Sequence, residues 1–133
     1  MSKENVEVVQ STFDAWERGD TDSILQVCHE DIAVIQPAEF PGVEPVGYGH
    51  AGVLEAFALW PGYWDDFRVE LLRMFDRGDQ VVVTTEQSGR SKDTGIEVAT
   101  QFTFLFTLSE RKITEWRMFL REEDALEAVG QPG

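Results

Sequence analysis

The sequence predicts an α+β domain in which N-terminal helices wrap the concave side of a curved antiparallel sheet, leaving a cone-shaped interior. Three observations carry this. Apolar residues recur every three or four positions early in the chain and alternate singly over its later part. Asp76-Arg77-Gly78-Asp79 and Ser109-Glu110-Arg111 divide the alternating part by tight turns. No repeat, low-complexity stretch or linker interrupts the 133 residues, so one domain spans 1–133.

Taken in order, Asn5 to Arg18 reads as a helix with Val6, Val9, Phe13 and Trp16 on one stripe, Ser2 as its N-cap and Gly19 as its stop. Asp20-Thr21-Asp22-Ser23 offers capping oxygens for a short second helix through Ile24, Leu25, Val27 and Cys28. Ile32 to Gln36 is β-branched and stopped by Pro37, which suits a short strand. Pro37 to Gly49 reads as a loop. A third helix is expected from His50 to Leu59, burying Val53, Leu54, Phe57 and Ala58 and ending at Pro61-Gly62. Strands follow at Phe67–Phe75, Gln80–Ser88, Ile96–Leu108 and Lys112–Arg121, with Gly89–Gly95 as a polar hairpin tip. Glu122 to Val129 closes as a helix whose first turn, Glu122-Glu123-Asp124, suits its dipole.

Composition removes several classes of function. Against 25 acidic residues stand 11 basic ones, a net charge of −14. A field of that sign repels phosphate backbones and anionic lipid, so neither nucleic acid nor membrane is expected as a partner. Cys28 is the only cysteine and cannot form an internal disulfide; with two histidines it makes a poor zinc site, so no metal or cofactor is expected. No apolar run approaches a membrane span, and MSKENVEVV lacks the apolar stretch of a signal peptide, which points to a soluble cytoplasmic protein.

Three stretches carry a resemblance: ENVEVVQSTFDAWERGD at the start, GYGHAGVLEAF in the third helix and RKITEWRMFLREEDALEAVG at the end. In this order, with the right element types between them, they resemble the SnoaL-like branch of the nuclear transport factor 2-like (cystatin-like) superfamily over nearly the whole chain. The resemblance implies a cone of helices and bent sheet around one deep pocket, and a homodimer through the outer face of the sheet. That superfamily holds ketosteroid isomerase, SnoaL-type polyketide cyclases, limonene-type epoxide hydrolases and binding modules without chemistry, so the pocket residues must decide the activity.

Position by position, the resemblance puts neutral groups where relatives titrate. The isomerase's basic Asp falls on Gln36, its oxyanion-stabilising Tyr near Thr12 and its protonated Asp near Phe104. The Arg-x-Asp and further Asp of the epoxide hydrolases fall on Thr85, Gln87 and Met118, and their water-holding groups near Val34 and Gln36. The cyclase acid falls on Met118 as well. An amide can donate and accept hydrogen bonds but is no base near neutral pH, and a thioether takes no part in proton transfer.

The inward residues therefore describe an apolar cavity with a few neutral hydrogen-bonding groups: Phe13, Trp16, Phe57, Phe102, Phe104, Phe106, Trp116, Met118 and Leu120, with Gln36, Thr85, Gln87 and Thr100 among them. The plain alternative is that these aromatics fill the cone as core. Trp60-Pro61-Gly62-Tyr63-Trp64 suggests a lid over the mouth, or a hydrophobic plug. His50 reads as an exposed or capping residue, His29-Glu30-Asp31 as a solvated turn, and Cys28 as a buried thiol on the second helix.

Three functions compete. The first is a binding module for a small neutral hydrophobic molecule, oriented by Gln36 and Gln87. The second is a divergent cyclase, isomerase or epoxide-hydrolase-like enzyme for a polyketide, steroid or terpene-like substrate, aided by Asp14 or Asp66 if either faces inward; no catalytic residue is assigned. The third is a dimeric scaffold with a filled cone, joined through Glu97, Gln101, Thr103, Glu115, Arg117, Phe119 and Arg121 on the outer face.

Overall fold

The apolar stripe of the first helix becomes the inner wall of the fold. In the computed structural model, which describes residues 2–36, 46–59 and 64–129, helix α1 spans Ser2–Arg18 and buries Val9, Thr12, Phe13 and Ala15. It starts before the expected Asn5, so Ser2 lies in its first turn. Its end is tightly closed. Gly19, at φ +70°, donates to the Trp16 carbonyl and Asp20 to the Ala15 carbonyl, at 3.0 and 2.8 Å. That left-handed closure suits a residue without Cβ. Asp20 then caps α2 (Thr21–Val27): its Oδ1 accepts from Ser23 N at 3.2 Å and its Oδ2 from Ser23 Oγ at 2.7 Å. These bonds hold the Asp20 carboxyl below its ordinary range.

Strand β1 (Cys28–Ile35) follows without a loop, earlier than the expected Ile32. His29-Glu30-Asp31 thus lies in strand, not in a turn, and Cys28 opens the strand instead of sitting on α2. Local periodicity misses this because a register shift between Cys28 and Ala33 breaks the alternation. Within the expected Pro37–Gly49 loop, residues 37–45 lie outside the described residues; Val46–Tyr48 forms β2, which leads into α3 (Gly49–Leu59).

Helix α3 turns Gly52 and Val53 toward the sheet, while Leu54 is 44% exposed. The expected burial of Leu54 is therefore corrected: close contact of Gly52 with Gly47 sets the helix rotation and carries Leu54 away from the strands.

Strands β3 (Trp64–Arg77), β4 (Gln80–Ser91), β5 (Glu97–Ser109) and β6 (Lys112–Phe119) form the expected meander. Beta-strand β1 lies parallel to β6 and antiparallel to β2, giving the order β2-β1-β6-β5-β4-β3 in one six-stranded, mostly antiparallel curved sheet. Alternation sorts the two faces. Val81, Val83, Phe104, Phe106 and Leu108 join α1 in the inner core, while Val82 and Leu105 face the other way.

That outer face is partly covered. Helix α4 (Glu122–Ala128) seats Ala125 on Val82 and Leu105, with Phe75 and Phe119 packed against them. Two residues expected on the outer face lie there but are covered: Thr103 is buried and Phe119 packs into the second cluster, because the chain folds back immediately after β6. Leu120, expected to point inward, is 40% exposed, since the strand ends at Phe119 and the chain bends there.

A polar contact pins α4. Glu122 Oε1 accepts from Arg73 Nε at 2.8 Å and from Thr84 Oγ1 at 2.9 Å, and the Thr84 and Thr103 hydroxyls lie 2.9 Å apart. Arg73 first, then Thr84, lowers the Glu122 pKa. A lowered folded value means stability fully present above the unfolded glutamate pKa and lost as pH falls through the folded one. Glu122→Gln should therefore flatten the acid side of the urea-midpoint-against-pH curve. An unchanged acid slope would show that the contact adds nothing.

Candidate functional site

The inner end of the cone is built of rings. Phe106 meets Trp116 at 4.8 Å between centroids and Phe13 at 5.8 Å edge-on. Trp16 lies 6.2 Å from both Phe104 and Trp116. Offset and edge-to-face contacts of this kind suit the ring quadrupoles. Phe104 packs against both Phe13 and Trp116, and all three are buried as the core beneath the site. Met118 pairs with Phe104 across the β5–β6 ladder and is half-buried beside them.

The neutral polar residues are placed one by one. Thr12 is buried and donates to the Val8 carbonyl at 2.8 Å, within its own helix. Thr85 donates to the Phe102 carbonyl at 3.0 Å. Gln87 is 3% exposed, with its Nε2 3.5 Å from Thr85 Oγ1. Thr100 is its ladder partner and is exposed. Gln36 follows β1 and is half-buried, with β6 and β5 between its strand and that of Gln87. Trp60 lies outside the described residues, as does the side chain of Phe57.

Among the described residues the buried polar side chains are Asn5, Thr12, Thr84, Thr85, Gln87 and Thr103, none ionisable. Asp14 and Asp66 are exposed. No group of three metal-binding side chains occurs among the described residues. Burial pushes the Cys28 thiol up to about 12, against the opposing charge of Lys112, so it stays protonated and unreactive. His50 Nε2 lies 3.0 Å from the Cys28 carbonyl, tying α3 to β1.

Among the described residues three openings adjoin the rings. One of about 690 Å³ lies against Phe13 and is lined by Asp14, Glu17, Arg68, Glu70 and Glu86; the other two are less acidic. A crevice of about 20 Å³ lies between Phe67, Gln87, Gly89, Val98, Thr100 and Phe102. A groove of about 690 Å³ runs between the end of α1 and β3, lined by Trp16, Ile24, Phe67 and Val69, with Glu17, Arg18, Thr21 and Arg68 at its edges. The crevice has room for about one water; the groove falls within the usual size range of small-molecule sites. Phe67 borders both of these.

Sequence reasoning did not single out Phe67 or Arg68. Beta-strand β3 slips register between Asp65 and Arg68, with Asp66 at φ 54°, and Phe67 comes within 6.3 Å of Trp16. The only local cue is the Asp65-Asp66 pair, since aspartate tolerates the left-handed region better than most residues.

The model of the SnoaL-like domain matches residues 9–116. No curated protein sequence matches the chain. Among solved structures, TerC co-crystallised with polyporic acid is 22% identical, with a TM-score of 0.80 over 96% of this chain and 99% of that one. A candidate SnoaL-like polyketide cyclase from a Jannaschia species is 21% identical, at TM-score 0.78 over 98% and 94%. A ketosteroid isomerase-like fold from Catenulispora acidiphila, in complex with trimethylamine, is 16% identical, at TM-score 0.72 over 95% and 94%. At these identities the structures speak for the fold alone. With the sheet order, the helices on its inner face and a family model covering most of its length, the chain belongs to the SnoaL-like domain family.

Proposed function

We propose that this protein is a small-molecule pocket protein that holds a largely hydrophobic ligand at the mouth of its cone without a carboxylate base. One observation carries the reading: a groove of about 690 Å³ floored by Trp16, Ile24, Phe67 and Val69 sits over an interior whose described polar groups are all neutral. Apolar walls with a few placed hydrogen-bonding groups are the usual make-up of a ligand site. Gln87 lines the adjoining crevice, and in this reading it orients a ligand carbonyl or hydroxyl, directly or through one water. Cyclisation or isomerisation by a divergent enzyme ranks second, because among the described residues the groove's carboxylate, Glu17, stands exposed at its edge and nothing on its apolar floor can take a proton.

Polyporic acid with TerC, and the cyclase candidate, guide the choice of probes: flat quinones and polyketide-like aromatics, alongside steroids, terpenes and fatty acids. A true ligand at a hundred times its Kd adds ~2.7 kcal/mol, which raises Tm by several degrees. Gln87→Leu should weaken a carbonyl-bearing ligand and spare a hydrocarbon analogue. A flat melting temperature across the whole panel would remove the reading.

A further inference from the structure

We infer that the polar end of the ligand is anionic and is met by Arg68, so that the groove takes a flat hydrophobic organic acid. This rests on the pocket reading above and gives its ligand an acidic end, in place of the neutral molecule expected from the sequence. The chain carries 25 acids against 11 bases, yet the edge of the α1–β3 groove reverses that balance, with Arg18 and Arg68 against Glu17 alone.

The two arginines differ in what they do. Arg18 reaches Asp20 Oδ2 at 3.4 Å. Arg73, Arg90, Arg111 and Arg121 likewise pair with carboxylates, and Arg77 and Arg117 lie over phenylalanine rings. Among the described residues the Arg68 side chain has no ion pair, hydrogen bond or ring contact, although Asp14, Glu17, Glu70 and Glu86 line the same flank of the strand. In so acidic a chain an exposed guanidinium normally finds a carboxylate. The slipped register and the left-handed Asp66 that bring Phe67 to Trp16 also place Arg68 at the groove.

The groove supplies both halves of the recognition. Trp16 and Phe67, 6.3 Å apart and tilted by 38°, with Val69 beside them, suit a flat apolar body. A guanidinium fork suits a carboxylate or an acidic enol, which it can engage through two parallel hydrogen bonds. The nearby Asp14, Glu17, Glu70 and Glu86 disfavour anions that lack the apolar body.

Isothermal titration of the full chain with 2-naphthoate and 2-naphthamide separates the two claims, because the probes share a ring system and differ in charge. The wild type should bind the acid about tenfold more tightly, the order expected for one charge-assisted fork. Arg68→Gln should erase that preference while leaving amide affinity unchanged within about twofold, and Arg68→Lys should restore part of it. Equal affinity in the wild type, or a preference that survives Arg68→Gln, overturns the anionic assignment and leaves the hydrophobic pocket standing. If neither probe binds, both readings fall.

Discussion

Replacing Phe106 with alanine should lower stability by about 3–5 kcal/mol, the usual cost of truncating a buried aromatic. Its side chain is fully buried and touches Phe13, Phe104 and Trp116. The neighbouring rings belong to α1, β5 and β6, so collapse into the void would have to move three elements at once. Against a typical stability of ~5–15 kcal/mol, this is a large fraction. Urea denaturation followed by tryptophan fluorescence provides the measurement. A midpoint within error of the wild type would mean that the rings do not form one packed unit. Phe67→Ala, at the half-buried mouth, serves as the contrast and should cost far less.

The second large effect is expected at Gly52. A Cβ there would lie 2.8 Å from the Gly47 carbonyl carbon and 3.2 Å from its Cα. Both are backbone atoms, so no side chain can swing aside. Alanine is the better helix former by ~1 kcal/mol, which alone would make Gly52→Ala stabilising. Forcing a methyl against backbone costs up to ~3 kcal/mol or more, so the clash wins and a net loss of ~2 kcal/mol is expected. Hydrogen exchange should report where the loss falls: protection should drop first in β2 and in its ladder with β1, at Ala33 and Ile35. A more stable variant would show that α3 and β2 can separate freely.

Much of the fold was legible. The four helices, the long meander and their order follow from the periods of three to four and of two, from Gly19 and Asp20 at the first helix exit, and from Asp76-Arg77-Gly78-Asp79 at the hairpin. The aromatic core beneath the site was legible in the same way, because Phe102, Phe104 and Phe106 alternate on one strand. What escaped were the places where the period breaks. The early start of β1 hides behind a register shift, and β2 is only three residues long. Leu54 and Leu120 look buried by composition and are turned outward by the Gly47–Gly52 contact and by the end of β6.

The candidate site divides along the same line. Absence of an ionisable group at Gln36, Thr85, Gln87, Phe104 and Met118 was a property of the residues themselves, and the described interior holds only neutral polar side chains. Which opening lies beside those residues was not. Phe67 and Arg68 reach the groove because β3 slips against β4 and because Gly19 and Asp20 stop α1 just past Trp16.

Local order is written in residue spacing, since a helix or strand repeats over a few positions. The amino-acid order alone thus settled most element types and their succession, β2 excepted, and the absence of ionisable polar groups from the described interior. Helix rotation, the strip of sheet covered by α4 and the position of an unpaired guanidinium depend on atoms far apart in the chain. Those features were decided only when the strands took their register and the close backbone contacts were made.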